Sequence, residues 1–458
     1  MRVDDLRRQL KDLADTVPPP RENPLVGVHR RAGRRGRQVR FVTGAVLVAT
    51  LASAAVVWDS TRTDGRRVMT GPPAAQNGRP SGSPADLQAS QWSELPTAPI
   101  VTRHGVSATW TGSEYLVWGG SSGPNGATLH GDGAAYHPAN RRWRPVSASP
   151  LGPRVQHSSV WTGDEWLIWG GYDSVSTNRL HVSASGAAYD PNKDRWRMLP
   201  PSPIAPRAGT AAVWTGKEAI FVGGYPAVRS AEVRSLADAA AYDPAKDRWR
   251  ALPPIPTNPA HALESFVPVW ADGQVLVWAS FTRIPGSADG SDPAGYDVFS
   301  YDPTHDRWRQ VPFTGRPETG VRAAYWTGSA VLLPASPAPR STESRGPSPS
   351  GLRGHLYDPT TNRYTALAHG PVDDTYGPTV LAGDLLVRLS TSQDGAVMPG
   401  DGAVWDPRTD EWTALARAPR LLGDTPAVWT GTELLLWGGV YVDTQGPSPG
   451  GTGLRLGP

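Results

Sequence analysis

The stretch VWTGDEWLIWGGYDSVSTNRLHVSASGAAYDPNKDRWRM, residues 160–198, decides the fold. Trp161-Thr162-Gly163 makes a tight turn in which the glycine is free to take positive φ. Leu167-Ile168-Trp169 and Ala187-Ala188-Tyr189 are short apolar runs bounded by turn residues, the pattern of strands. Tyr189-Asp190-Pro191 suits a type I turn, with Asp first and Pro second. Trp196 stands seven positions beyond Tyr189. The stretch reads as four short strands, too few to bury both faces of one sheet.

The same pattern recurs along the chain. Trp-Thr-Gly appears at Trp110, Trp161, Trp214, Trp326 and Trp429, with weaker copies at Trp270 and Leu381; these seven copies lie 48 to 56 residues apart. An aromatic-Asp-Pro turn follows at Tyr189, Tyr242, Tyr301, Tyr357 and Trp405, with Tyr136-His137-Pro138 as a variant. The third mark is an aromatic residue seven positions on: Trp143, Trp196, Trp249, Trp308, Tyr364 and Trp412. Self-similarity at this period means a repeat architecture, and seven sheets packed radially bury what one cannot. The spacing therefore predicts an all-β, seven-bladed propeller of four-stranded blades over residues 91–458. Its last unit lacks a fourth strand, and the segment around Trp92 precedes the first complete unit. The two ends are expected to share one blade and so remove its loose edge.

These marks resemble the Kelch family: a Gly-Gly doublet after an apolar strand, then an aromatic-Asp-Pro turn, then a tryptophan. Gly119-Gly120, Gly170-Gly171, Gly223-Gly224 and Gly438-Gly439 supply the doublet. Ala279-Ser280, Pro334-Ala335 and Leu389-Ser390 replace it in blades four to six, which are expected to be irregular. The resemblance implies a propeller like the central domain of galactose oxidase, but not that enzyme's chemistry, because its copper site needs a cysteine and this chain has none. The absence of cysteine also excludes disulfides, thiolate zinc sites and thiol catalysis.

Ahead of the repeats the composition changes. Residues 1–40 hold eleven Arg/Lys and five Asp/Glu, leaving 34 against 37 for the rest, so the basic pI belongs to the tail and does not point to nucleic acid. Val3, Leu6, Leu10 and Leu13 predict a short amphipathic helix, either a frayed helix without a partner, since one this short is marginal in water, or a docking element for a cytoplasmic protein. Phe41 to Trp58 is 18 residues without a charge, preceded by a cluster of arginines. That pattern predicts a transmembrane helix with the N-terminus in the cytoplasm and the propeller outside. Cleavage of a signal peptide near Ala52-Ser53-Ala54, with secretion, is the alternative. Residues 59–90, rich in Gly, Pro, Ser and Thr, read as a flexible linker. Arginine outnumbers lysine heavily, as in proteins of GC-rich bacteria.

Strand order assigns the short Thr-Gly and Asp-Pro turns to one face. The other face carries long, dissimilar connections at 121–132, 172–185, 225–237, 280–297, 335–353 and 390–401. Variable loops on a rigid scaffold are where binding usually resides. Arg103, Arg154 and Arg207 each lie seven residues before a blade's tryptophan, with His104 and His157 adjacent. They are candidates for an anion- or sugar-binding rim, since arginine offers a planar donor fork. The competing reading is that each arginine bonds backbone carbonyls between blades. Most tryptophans sit at repeat positions, which points to packing rather than a carbohydrate platform; Trp166 is off-pattern.

No phosphate loop, Gly-x-Ser-x-Gly elbow or His-Glu-x-x-His motif is present, and the histidines lack metal-ligand spacing, so no catalytic residue, metal or cofactor is assigned. The reading is a membrane-tethered, extracytoplasmic binding module for a protein or an envelope glycan. One alternative is a sugar epimerase or mutarotase, an activity the Kelch resemblance brings with it. Another is a transmembrane signalling protein, laid out like a membrane-bound anti-sigma regulator with the propeller as sensor.

Overall fold

A computed structural model describes residues 84–123, 126–176, 179–227, 235–284, 294–313, 321–334, 354–368, 370, 377–390, 398–400, 402–421, 425–439 and 453–458. The tail, the expected span at 41–58 and most of the linker lie outside these residues. Among the described residues no helix is long and apolar enough to cross a membrane.

Seven antiparallel four-stranded sheets follow one another. Blade 1 is Ser107–Trp110, Tyr115–Trp118, Gly133–His137 and Arg142–Pro145; blade 2 is Ser158–Trp161, Trp166–Trp169, Gly186–Asp190 and Arg195–Met198. Blade 7 is assembled from both ends of the chain, as expected. Ala427–Trp429, Leu434–Leu436 and Leu454–Gly457 are its first three strands, and Gln91–Glu94 is the fourth, with Gln91 opposite Gly457 and Glu94 opposite Leu454.

The core lies between the blades. Seven apolar clusters each join two neighbours: Leu116 and Trp118 of blade 1 meet Trp161 and Ile168 of blade 2, and so on around to Val428 and Leu435 of blade 7 against Val106 and Tyr115 of blade 1. A continuous ring of such interfaces is what closes a propeller. The seven-residue spacing has a direct cause. Tyr189 pairs with Trp196 across the third and fourth strands, and the rings sit 4.9 Å apart. Such a pair contributes about 0.5–1.5 kcal/mol beyond simple burial. The indole N–H then crosses the boundary: Trp196 donates to the Ser147 carbonyl (3.0 Å) and Trp249 to the Pro200 carbonyl (3.0 Å) of the preceding blade.

Blade 4 departs from the rest. Its first three strands, His261–Ala271, Gln274–Arg283 and Ala294–Asp302, are twice the usual length. The second strand runs through Ala279-Ser280, whereas blades 5 and 6, which also lack the doublet, keep strands of two to five residues. The linker reading needs one amendment, because Pro84–Ala89 forms a short helix whose Leu87 is buried against Val404 and Leu415 of blade 6. The chain enters Gln91–Glu94 from the side that carries the Asp-Pro turns in other blades, since Gln91 occupies the register of Arg142 and Arg195.

Candidate functional site on the variable-loop face

Arg103, Arg154 and Arg207 lead into the first strands of blades 1 to 3 and make equivalent bonds. Each Nε–H donates two residues back, to the carbonyls of Val101 (3.0 Å), Gly152 (3.1 Å) and Ala205 (2.8 Å). One terminal nitrogen donates to the first glycine of the same blade's doublet, at Gly119 (3.5 Å), Gly170 (3.0 Å) and Gly223 (3.2 Å). The fork then meets the residue just ahead of the third strand. For Arg103 this is Asp132 (2.5 and 3.2 Å) and for Arg207 it is Asp238 (2.5 and 2.9 Å), both bidentate. In blade 2 that position is Ser185, whose carbonyl (3.2 Å) and Oγ (3.1 Å) accept instead.

The arginines are 2%, 2% and 0% exposed, so each locks three segments of its blade from inside. The expectation that they bond carbonyls between blades is corrected here, because the side chains act within their own blade. Their main chain makes the crossing. The Gly120 N–H donates to the Arg154 carbonyl, Gly171 to Arg207 and Gly439 to Arg103, while the Arg154 N–H donates to His130 and that of Arg207 to Ser183. What meets solvent at these places in blades 1 and 3 is the counter-ion, with the Asp132 side chain 57% exposed and Asp238 51%.

His157 is buried, its Nε2 2.6 Å from Ser107 Oγ across the blade 1–2 boundary and its ring edge-on to Trp118. His104 is half-buried, with Nε2 3.2 Å from Ser121 Oγ, and the two residues form a β-bridge. His130, not singled out by spacing, lies on the same face with Nε2 2.7 Å from Ser122 Oγ. Burial and then the charge of Arg103 hold His130 below its ordinary pKa, which keeps it neutral at pH 7. Burial pushes the Asp132 and Asp238 carboxyls up, but hydrogen bonds and charge from Arg103 and Arg207 outweigh it and hold both below the usual carboxylate value. Burial lowers the Arg154 pKa to about 10, against a small opposing effect of Asp173. In blade 4 a buried His261–Asp297 contact (2.7 Å) ties the first strand to the third, with Gln310 also donating to Asp297.

Spacing located the arginines but missed Asp132, Ser185 and Asp238. A signal was there: each stands 29 or 31 residues after its arginine, directly before the small residue that opens the third strand. Trp166 is fully buried between blades 1 and 2 and offers no carbohydrate platform. Among the described residues no group of three or more His, Asp or Glu could hold a metal ion.

The opposite face is occupied by clamps. Arg144, Arg197 and Arg250 each grip a glutamate of their own blade, Glu114, Glu165 or Glu218, and an Asp of the next blade, Asp194, Asp247 or Asp306. A tyrosine hydroxyl of the next blade joins each network.

Residues 84–279 match the KLHDC2/KLHL20/DRC7 Kelch-repeats domain. The chain is similar to Kelch-like protein terF of Aspergillus terreus, 23% identical over 62% of this chain and 60% of that protein. It is also similar to N-acetylneuraminate epimerase 1 of Escherichia coli, 25% identical over 43% of this chain and 60% of that protein. Human Kelch-like protein 34 matches at 26% identity over 52% of this chain and 35% of its own length. The chain thus spans about 60% of the first two relatives. A solved structure, "Structure of YjhT", superposes with a TM-score of 0.48 at 14% identity, covering 70% of this chain and 99% of that one. The described residues thus form a seven-bladed β-propeller, and its first part, residues 84–279, matches a Kelch-repeats domain.

Proposed function

We propose that the protein is a membrane-tethered, extracytoplasmic interaction module whose variable-loop face recognises a protein or an envelope glycan. The observation that carries this reading is the polarity of blade 7. The N-terminal segment enters the closing strand from the uniform-turn side, at the register of Arg142 and Arg195. That side is also the one committed to the arginine clamps, whereas the variable side holds long connections. Asp132 and Asp238, held by the buried Arg103 and Arg207, meet solvent there. Protease added to intact cells tests the topology: the propeller should be digested while an epitope within residues 1–40 is protected. A protected propeller, or a chain released from membranes by alkaline carbonate, would sink the reading.

A second reading, epimerase action on an acidic sugar, has support from the similarity to N-acetylneuraminate epimerase 1. Purified protein that accelerates anomer exchange of N-acetylneuraminate, followed by NMR, would favour it. Exchange at the uncatalysed rate would remove it.

A further inference from the structure

We propose that Arg154 and Ser185 form a carboxylate-binding subsite on the variable face of blade 2. The argument comes from comparing three blades built to one plan. Blades 1 and 3 each bury a guanidinium and neutralise it with a bidentate aspartate placed just before the third strand. Blade 2 buries the same guanidinium, at 2% exposure, and puts Ser185 where the aspartate belongs. Among the described residues no carboxylate lies within ion-pair distance of Arg154. The acid that acts on it electrostatically, Asp173, is bonded to His181 (2.5 Å).

Among the described residues Arg154 therefore has hydrogen-bond acceptors but no carboxylate paired with it. Its five N–H groups meet Gly152 O, Gly170 O, Ser185 O and Ser185 Oγ, which leaves one donor over. Removing a cation from water without a paired anion is unfavourable, and the low pKa produced by burial is the expected mark of that state. Ser185 is half-buried, and its Oγ also contacts Ser183 Oγ at 2.9 Å. The equivalent positions in blades 1 and 3 face solvent through half-exposed carboxylates. A carboxylate supplied from outside would occupy the place of the missing aspartate, taking the spare Arg154 N–H and a hydroxyl donor from Ser185. An acidic sugar and an acidic peptide side chain both carry that group. This proposal deepens the reading of the variable face as a recognition surface and rests on it only for biological meaning.

The test is thermal unfolding of the purified full-length chain, read by tryptophan fluorescence. Sodium acetate, sodium D-glucuronate and a blocked glutamate peptide are titrated against sodium chloride at matched ionic strength. Carboxylate should raise the wild-type melting temperature to a plateau. Ser185→Asp should melt higher than wild type in chloride and no longer respond, and Ser185→Ala should respond at higher concentrations only. Tighter saturation by glucuronate identifies a sugar acid, and tighter saturation by the peptide an acidic side chain. A wild type indifferent to all three overturns the subsite, as does a response undiminished in Ser185→Asp. Neither failure bears on the protease test of topology.

Discussion

The Gly120 N–H donates to the Arg154 carbonyl across 2.9 Å, joining the end of one blade's second strand to the start of the next blade's first. The contact needs a glycine at φ +94°, because a Cβ there would stand 2.6 Å from His104 O and 2.8 Å from Val106 Cγ1. Gly112 in the same blade also has positive φ, +101°, but a Cβ there meets nothing within 4 Å. Gly112→Ala should cost about 1–2 kcal/mol, the price of the backbone conformation alone. Gly120→Ala should cost clearly more, since backbone must also move. Urea unfolding midpoints of the two variants check the order; equal costs would mean that the doublet is not a packing requirement.

Arg207 and Asp238 make a second comparison. Asp238→Asn leaves a fully buried guanidinium without its charge partner. Breaking a buried pair costs about 3–5 kcal/mol, and the half-exposed aspartate reduces this to roughly 1–3 kcal/mol. The folded-state carboxyl lies below its unfolded value. The stability it contributes is therefore present above the ordinary carboxylate pKa of about 3.9 and is lost as pH falls through the lower folded value. The wild-type advantage over Asp238→Asn in unfolding free energy should shrink below about pH 4.

Alkaline pH acts through the tyrosines. Burial, aided by Asp194, Asp247 and Asp306, raises the Tyr189, Tyr242 and Tyr301 hydroxyls, and burial raises Tyr357 to about 12. The folded state thus keeps protons that the unfolded state releases above the ordinary value of about 10. Stability should fall as pH rises beyond that point. Absorbance at the tyrosinate band, followed with melting temperature, should show ionisation and unfolding together; free titration of all thirteen tyrosines near pH 10 in a folded protein would contradict it.

The clamp at Arg197 joins blades 2 and 3 through Glu165 (2.9 and 2.6 Å), the Tyr242 hydroxyl (2.9 Å) and Asp247 (2.7 Å). Its side chain is about a third exposed, so solvent screens part of the network. Arg197→Ala should cost about 1–2 kcal/mol, and Tyr242→Phe less. A double-mutant cycle with Glu165→Gln measures the coupling.

Closure makes a coarser prediction. A chain beginning after Glu94 loses the fourth strand of blade 7, the Trp92 N–H bond to Ala416 O (2.7 Å) and the Leu87 anchor. The Leu454–Gly457 strand then presents an open edge, and the protein should self-associate in light scattering. A chain beginning at Pro84 should stay monomeric.

Turns, doublets and paired aromatics are local, so their spacing alone revealed the repeat, the blade number and the shared last blade. The arginines were legible for the same reason, as they keep a fixed distance from each blade's tryptophan. Their partners were not. Asp132, Ser185 and Asp238 lie beyond loops of differing content, and only their place directly before the third strand, 29 or 31 residues after each arginine, marks them. His261 escaped notice because blade 4 has no arginine to mark the site. Radial packing decided the rest: it buried Arg154 and Trp166 rather than displaying them, directed the arginine side chains inward and their carbonyls across the boundary, and, among the described residues, left the Arg154 guanidinium without a paired acid. Those outcomes depend on which segments meet around a closed ring, and the free energy of burying a charge is set by that meeting.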